Sequence, residues 1–290
     1  MVVNEVVEAF ILSGFAYIKP GCMHRFSEHR ELIDYITLGP KLYNILVKAS
    51  EVGEKVALGK IGAPSAGLGR ILSDAIKTIG GRLSRNTVFY DATVSLTITT
   101  MAASHALTMH KREVSESHIE KSLKLFLASS TGKDSSALVH VTRIVGPSKY
   151  VSLFNKADFT RTRVELENIS LYEIFYTLTP ISVPLKALIE FTPIVNAVKN
   201  IRKYYEKLRD VNSALVSTYI LALLDLEKTP SWVRRELEHI LSEGAMVSRA
   251  SAKKLFEVDR KMRREKLDYN ELLPILTTAS AISLSLKYIA

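Results

Sequence analysis

The sequence predicts an all-α protein whose helices pack around one large core. Apolar residues recur at helical spacing in nearly every segment of the 290-residue chain. The sequence contains no β-hairpin signal and no regular alternation of strand and helix patterns. No repeat of fixed period and no low-complexity linker divides the chain. Residues 1–290 are therefore expected to form a single compact multi-helix domain with a buried central helix.

The individual helices are predicted from their apolar faces and from the residues that begin or end them. Gly39-Pro40 should break or kink a helical stretch that starts near Leu32, and Gly80-Gly81 should end a later helix. Ser170-Leu171-Tyr172-Glu173 is a capping-box sequence that should begin a helix. Thr229-Pro230 should begin another helix, which should end at Gly244. In order, the other expected helices span about residues 4–18, 71–79, 87–109, 115–127, 195–208, 211–226, 246–264 and 269–288.

Two stretches are predicted as loops, and two others are harder to assign. Residues 59–69 and 129–136 are predicted as loops from their glycine and polar content. Val139 to Val145 fits either a strand or a short helix. The segment 87–109 is rich in β-branched residues, but its length favours a buried helix over a strand.

Charge and composition restrict the class of partner. The formal net charge is +9, which favours an anionic ligand or surface. The basic excess is concentrated in residues 249–266, a pattern typical of a solvated helix face. Few aromatic residues lie among these charges, so stacking on nucleic-acid bases is not indicated, and a nucleic-acid partner is not expected.

The same composition bears on location. No stretch of 18 apolar residues is free of charge, so no membrane span is predicted. Met1 to Phe15 carries two glutamates and no basic leader, unlike a secretory signal. The lone cysteine, Cys22, excludes an internal disulfide and suits a reducing, cytoplasmic setting. The oligomeric state cannot be read from the sequence.

The stretch from Lys19 to Arg25 is the main candidate for a functional turn. Pro20 restricts the backbone of the residue before it, and Gly21 permits an unusual backbone angle. A sharp turn here would present Lys19, His24 and Arg25 together, and all three can bind phosphate oxygens. The alternative is an ordinary surface turn with incidental charges.

The sequence lacks the common phosphate-binding and metal-binding motifs. Gly132-Lys133 lacks the first glycine of a P-loop, and Gly67-Leu68-Gly69 lacks the third glycine of a dinucleotide loop. His105 and His110 are five residues apart, on different faces of a helix, so no zinc pair is predicted.

Phe10 to Arg25, with its Lys-Pro-Gly-x-x-His-Arg core, resembles the N-terminal signature of the triphosphoribosyl-dephospho-coenzyme A synthase family, especially its archaeal branch. Cys22-Met23 replaces the usual Asn-Val of that signature. The segment from Gly67 through Asn86-Thr87 resembles the family's second block, with two substitutions after the first Asn-Thr.

The C-terminal likeness is weaker. Leu267-Asp268 and Thr277-Thr278-Ala279 are similar to two further family elements, but Ser280 stands where an aspartate belongs. Arg249 is similar to the basic residue of an Arg-Lys-x-Gly segment. An Arg-Asp pair of the middle helices has no clear counterpart, and Ile181-Ser182 lies about there.

The resemblance implies transfer of the triphosphoribosyl group of ATP to dephospho-coenzyme A, with release of adenine and with Mg²⁺ on the triphosphate. It places substrate or phosphate binding on a set of mainly basic and amide residues. The chain supplies the carboxylates of such a reaction poorly, and Asp91 and Asp158 are the nearest substitutes; Asp91 and His24 are the candidate catalytic residues. The implied binding residues are Lys19, Gly21, His24, Arg25, Asn86, Thr87 and Arg249.

Three expectations follow from this resemblance. The Lys19–Arg25 turn should lie beside the start of the Asn86 helix. A buried Asp91 should have a metal ion or an arginine as partner, the alternative being that it only favours its helix N-terminus electrostatically. Because basic groups persist while family carboxylates are missing, nucleotide binding is expected to exceed transfer activity. The alternatives are a divergent transferase and a non-catalytic relative that binds a nucleotide or another anionic partner.

Overall fold

The all-α prediction is confirmed. The computed structural model describes residues 2–26 and 31–289, and within these ranges it contains helices and no strand. Seventeen α-helices, α1 to α17 in chain order, span Val3–Phe15, Glu31–Ile36, Leu38–Ala57, Leu68–Ile79, Gly81–Arg85, Thr87–His110, Glu116–Ser129, Gly132–Val145, Ser148–Lys156, Arg161–Leu166, Leu171–Leu178, Val183–Glu190, Thr192–Leu208, Val211–Leu224, Ser231–Ser242, Arg249–Arg264 and Leu273–Ser285. Three 3-10 helices lie at Ala63–Ser65, Lys111–Glu113 and Asn270–Leu272.

The predicted buried central helix is α6. It packs against α3, α4, α7 and α17, and most of its side chains are buried on every face. Its threonines are compatible with burial because their hydroxyls donate to carbonyls one turn back, as Thr93 does to Phe89 at 2.8 Å and Thr97 to Thr93 at 2.7 Å. The long β-branched segment is therefore a helix in which Thr93, Thr97 and Thr100 bond to their own backbone, while the buried Ser95 and Thr99 hydroxyls have no partner among the described residues.

The N-terminal helices differ from prediction at their ends. Helix α1 stops at Phe15, earlier than the expected residue 18. Pro40 does not break a helix, since it lies in the first turn of α3, where its missing N–H has no intrahelical partner. The break lies instead at Thr37, between α2 and α3.

The predicted loop at residues 129–136 is wrong. Helix α8 begins at Gly132 because Thr131 and Asp134 form a capping box, with the Thr131 N–H donating to the Asp134 carboxylate at 3.0 Å. The other oxygen of Asp134 accepts the Gly69 N–H at 2.9 Å, which ties α8 to the start of α4. Of the two interpretations of Val139–Val145, the helix is correct.

The C-terminal helices follow the predicted order. The Ser170 capping box is confirmed, with the Ser170 N–H donating to Glu173 at 2.7 Å. Helix α15 begins at Ser231, so Pro230 and not Thr229 is its N-cap residue. The Thr229 hydroxyl does not cap the helix, because it donates to the Leu223 carbonyl. No helix in the described ranges is both long and apolar enough to cross a lipid bilayer.

Candidate functional site at the Lys19–Arg25 turn

The turn from Lys19 to Arg25 is held by residues from the C-terminal third of the chain. The Tyr219 hydroxyl of α14 donates to the Pro20 carbonyl at 2.8 Å. The Tyr269 N–H donates to the Gly21 carbonyl, also at 2.8 Å. These contacts join segments about 200 to 250 residues apart, so the turn takes its shape only in the folded protein.

Asp259 of α16 is the central acceptor under the turn. Its carboxylate accepts the Gly21 N–H at 2.9 Å and the Arg263 Nε–H at 2.8 Å, and it lies 3.3 Å from His24 Nε2. Burial raises the pKa of this carboxyl, but the bonds from His24, Arg263 and Gly21 outweigh burial and bring its pKa below the usual value. Asp259 is therefore ionised and links α16 to the turn.

His24 is fully buried. Burial lowers its pKa, and the hydrogen bond to Asp259 offsets this only in part. Its Nδ1 accepts the Phe26 N–H at 3.2 Å, so the ring is neutral with its proton on Nε2. A buried, neutral imidazole that holds the turn and α16 together has a structural task, separate from the binding and catalytic roles that the resemblance implies.

Lys19 is also fully buried, although the turn is expected to present it to a ligand. Its ammonium donates to the Gly14 carbonyl at 3.0 Å and to the Ser13 carbonyl, both in the last turn of α1. Burial lowers the pKa of Lys19 to about 8, while the neighbouring Cys22 acts in the opposite direction. In this conformation the Lys19 ammonium hydrogen-bonds to carbonyls at the C-terminal end of α1 and does not reach solvent.

Arg25 is the exposed cation of the turn. Its guanidinium lies 5.0 Å from the centre of the Tyr17 ring and 5.2 Å from that of Phe26. The turn therefore does not present Lys19, His24 and Arg25 side by side. Two of the three are interior groups, and Arg25 alone of them is exposed.

The residues predicted at the start of α6 have local roles. Asn86 is the N-cap, and its side chain accepts the Val88 N–H at 2.9 Å. Thr87, the first residue of the helix, is half-buried. Both the turn and α6 contact the 3-10 helix Asn270–Leu272, the turn through the Met23 N–H, which donates to Asn270 at 2.6 Å. A shared phosphate-binding site would require the turn to lie beside the start of α6, and that arrangement stays a prediction.

Asp91 is buried and bonded to hydroxyl groups, where the sequence suggests an arginine or a metal ion. It accepts the Tyr150 hydroxyl at 2.6 Å and the Ser182 hydroxyl at 2.8 Å. Burial raises the pKa of Asp91 to about 7, although both hydroxyl bonds act against this rise. The carboxyl joins α6 to α12 and to α9 inside the core, away from solvent.

Arg249 lies far from the turn along α16. It is exposed at the first position of that helix, whereas Asp259 is ten residues further on, about 15 Å along the axis. Its implied role in substrate or phosphate binding stays a prediction.

An open cavity of about 610 Å³ lies between the turn and the second half of α16. We call it the basic pocket, and its lining includes Phe26, Phe256, Arg260, Lys266, Asp268 and Asn270. From the sequence, this part of α16 is expected to be a solvated face. Leu267-Asp268, one of the weaker family-like elements, is the signal that pointed here.

The cations of the basic pocket are available to a ligand. Arg260 and Lys266 are exposed, and among the described residues neither lies within ion-pair distance of a carboxylate. Phe26 and Phe256 line the same cavity and are 52% and 44% exposed, although the Phe26 ring also contacts Arg25 and Tyr17. Two unpaired cations beside two aromatic rings can bind an anion that carries a planar group.

The carboxylates of the pocket offer limited metal coordination. Both oxygens of Asp259 already accept hydrogen bonds, and one oxygen of Asp268 accepts the Asn270 N–H at 2.8 Å. Within residues 2–26 and 31–289 no group of three or more His, Cys, Asp or Glu side chains could hold a metal ion. Asp268 alone is exposed and could share a Mg²⁺ ion with a ligand's phosphates, because Mg²⁺ binds through one or two carboxylates and retains waters.

Gly21→Ala should destabilise the protein more than Gly59→Ala. Both glycines have positive φ, +70° and +67°, so both substitutions carry a backbone cost of about 1 kcal/mol. A Cβ at Gly21 would also lie 2.7 Å from Met262 Cε and 3.3 Å from the Leu267 carbonyl, whereas a Cβ at Gly59 meets nothing within 4 Å. We expect Gly21→Ala to cost roughly 1–3 kcal/mol more in urea unfolding. An equal loss of unfolding free energy in the two variants would show that the turn and its neighbours can move to accommodate the added Cβ.

Comparison with known proteins supports the fold. No protein-family model matches the chain, and no curated protein matches it. Among solved structures it is similar to that of a protein assigned as a triphosphoribosyl-dephospho-coA synthase from Archaeoglobus fulgidus, with a TM-score of 0.52 and 14% sequence identity. The match covers 85% of this chain and 99% of the other. At this identity the likeness establishes that the two chains share an all-α fold.

Proposed function

We propose that this protein is a triphosphoribosyl-dephospho-CoA synthase-like protein that binds a nucleotide polyphosphate, such as ATP, in the basic pocket. The observation that carries the proposal is the presence of unpaired Arg260 and Lys266 beside the turn whose sequence resembles the family signature. The shared fold with the Archaeoglobus fulgidus protein is consistent with it.

The pocket suits both parts of a nucleotide. Arg260 and Lys266 would neutralise phosphate oxygens, since a hydrogen bond to a charged group contributes about 1.5–3 kcal/mol. Phe26 and Phe256 would stack on the base, because any base offers a π-face to an exposed ring. Arg25 does not line this pocket, but its guanidinium lies 5.2 Å from the centre of the Phe26 ring and would add positive charge beside it.

Mg²⁺ would be held by the nucleotide's own phosphates together with Asp268. The ion would neutralise phosphate charge. The protein contributes one open carboxylate, so we propose that binding of Mg²⁺ depends on the nucleotide and is weak without it.

Transfer of the triphosphoribosyl group from ATP to dephospho-CoA would require more than this binding site. The bond between the ribose C1′ and adenine must break, a hydroxyl oxygen of the acceptor must attack C1′, and a proton must reach the leaving adenine. Asp91 is enclosed in the core and His24 is bonded to Asp259, so neither is free to move that proton in this conformation. We therefore propose that transfer is slow or nil, and that the binding function is retained.

The alternative proposal is a non-catalytic relative that uses the same pocket for another anionic partner. The same structural features favour it, since the pocket recognises charge and an aromatic plane and does not specify a triphosphate. A preference for ATP over inorganic triphosphate supports the nucleotide, because the two ligands differ in the base and ribose.

Calorimetric titration with ATP tests the proposal. Arg260→Gln/Lys266→Gln should weaken ATP binding by tenfold or more, since each lost charge-assisted contact costs about 1.5–3 kcal/mol. The matched control is Lys199→Gln/Lys203→Gln on α13, which removes the same net charge from two exposed lysines elsewhere on the surface. Equal weakening in both variants would reduce the effect to general electrostatics. Unchanged affinity in the pocket variant would show that ATP does not bind there.

An adenine-release assay in the same samples addresses the transferase directly. We expect ATP binding to be measurable in these samples. We expect little adenine to be released in the presence of dephospho-CoA and Mg²⁺. Rapid release by the wild-type protein would show that catalytic groups other than Asp91 and His24 complete the reaction.

A further inference from the structure

A second cavity, of about 310 Å³, is lined by Leu272 of the 3-10 helix Asn270–Leu272 and shares no lining residue with the basic pocket. Helices α12, α13 and α14 form its walls, and Leu272 and Ile275 close one end. Its volume is at the lower end of the range for small-molecule sites, about 300–1,000 Å³. Most of its lining is aliphatic, which suits a compact ligand with an apolar body.

A buried hydroxyl without a partner lines this cavity. Thr218 of α14 is 1% exposed, and its Oγ1 makes no hydrogen bond within the described residues. Other buried helical threonines, such as Thr142 and Thr278, donate to the carbonyl four residues back. An unmet hydroxyl beside a cavity is costly in the free protein, and a ligand with a polar group could satisfy it.

Two asparagines on α13 add hydrogen-bonding groups to the same cavity. Asn196 and Asn200 are four residues apart and lie on one face of the helix. Across the described residues neither side-chain amide is hydrogen-bonded. Each amide offers both donors and an acceptor, so the pair can match a planar edge that carries a donor next to an acceptor.

The charges around the cavity argue against an anionic ligand. Lys186 and Glu190 pair with each other, with 3.7 Å between the ammonium nitrogen and a carboxylate oxygen. Asp225 is the remaining charged side chain of the lining, and it is exposed. With its lysine paired and a further carboxylate at the rim, the cavity favours a neutral ligand over a negatively charged one.

We propose that this cavity is a binding site for a compact, uncharged, planar molecule with a carboxamide-like edge, held by Thr218, Asn196 and Asn200. The aliphatic walls of the cavity would cover the planar body of the ligand, and the three polar side chains would hydrogen-bond to its carboxamide-like edge. This site is separate from the basic pocket, so it stands whether or not ATP binds there.

Benzamide is the probe for this site, titrated by NMR in the absence of nucleotide. We expect it to shift the side-chain amide resonances of Asn196 and Asn200. Benzoate, which is charged, and methyl benzoate, which lacks the donor, should bind at least fivefold more weakly. No shift with benzamide up to its solubility limit, or equal binding of benzoate, would overturn the proposal.

Thr218→Val separates a ligand role from a structural one. The valine keeps the shape and removes the unmet hydroxyl, so the free protein should be as stable as the wild type or more stable, whereas benzamide should bind roughly five- to tenfold more weakly. The matched control is Thr99→Val, a buried threonine of α6 that also lacks a partner, and benzamide affinity should be unchanged there. Asn200→Ala, at a half-buried position, gives a second test that leaves the core intact. Unchanged affinity in Thr218→Val and Asn200→Ala would remove the site.

Discussion

Asp91→Asn is expected to stabilise the protein at neutral and alkaline pH, by up to about 4 kcal/mol. In the folded protein burial raises the pKa of Asp91 from 3.8 to about 7. The folded state therefore binds more protons than the unfolded state between these two values. The contribution of this carboxyl to stability is greatest below about pH 4 and declines as pH rises to about 7.

Asparagine should keep the local contacts while removing this titration. Its carbonyl oxygen can accept the Tyr150 hydroxyl, and its amide can donate to the Ser182 oxygen, so both hydrogen bonds have a substitute. The difference in unfolding free energy between Asp91→Asn and the wild type should accordingly grow from about pH 4 to pH 7 and then level off.

Urea unfolding at a series of pH values measures this difference. Asp225→Asn is the control, because it makes the same change at an exposed carboxyl outside the core. A destabilised Asp91→Asn protein at every pH would mean that the ionised carboxylate is favourable in the core, and it would restore the expectation of a cationic or metal partner for Asp91.

Lys19→Ala is expected to lower the unfolding free energy by roughly 3–5 kcal/mol. The substitution leaves a cavity where a fully buried side chain stood, and it removes the donor from the Ser13 and Gly14 carbonyls at the end of α1. Lys19→Met fills most of the cavity but still lacks the donor, so its loss should be smaller, about 1–3 kcal/mol.

The pH dependence and the ligand affinity distinguish the two roles of Lys19. Burial lowers its pKa from 10.5 to about 8, so the unfolded state binds more protons between these values and wild-type stability should rise with pH across them. Lys19→Met should lack that rise and should bind ATP as tightly as the wild type. Weakened ATP binding by folded Lys19→Met would support the phosphate contact that the sequence suggests.

Most of the helices could be predicted from the sequence, because the apolar period of a helix and its cap residues are local features. The Ser170 capping box is formed as predicted. The missed start of α8 was also a local signal, since Thr131 and Asp134 have capping-box spacing, and the polar composition of the segment concealed it.

The candidate site was only partly predictable. The Lys19–Arg25 turn is a turn, as Pro20 and Gly21 indicate, and Gly21 has the positive φ that favours glycine. Which of its side chains faces solvent could not be read from their chemistry. A lysine and a histidine are ordinarily surface residues, and here both are buried because acceptors from α1 and α16 meet them inside the protein.

The sequence by itself determined an all-α chain, a buried central helix at α6 and a sharp turn after α1, since all three depend on neighbouring residues. The tertiary structure decided that the basic helix α16 lies under that turn, 238 residues away along the chain, and that Arg260 and Lys266 flank the resulting pocket. It also decided that Lys19 is an interior group. Helix packing sets such contacts, and the exposure of a charge depends on which distant carbonyl or carboxylate the fold brings to it.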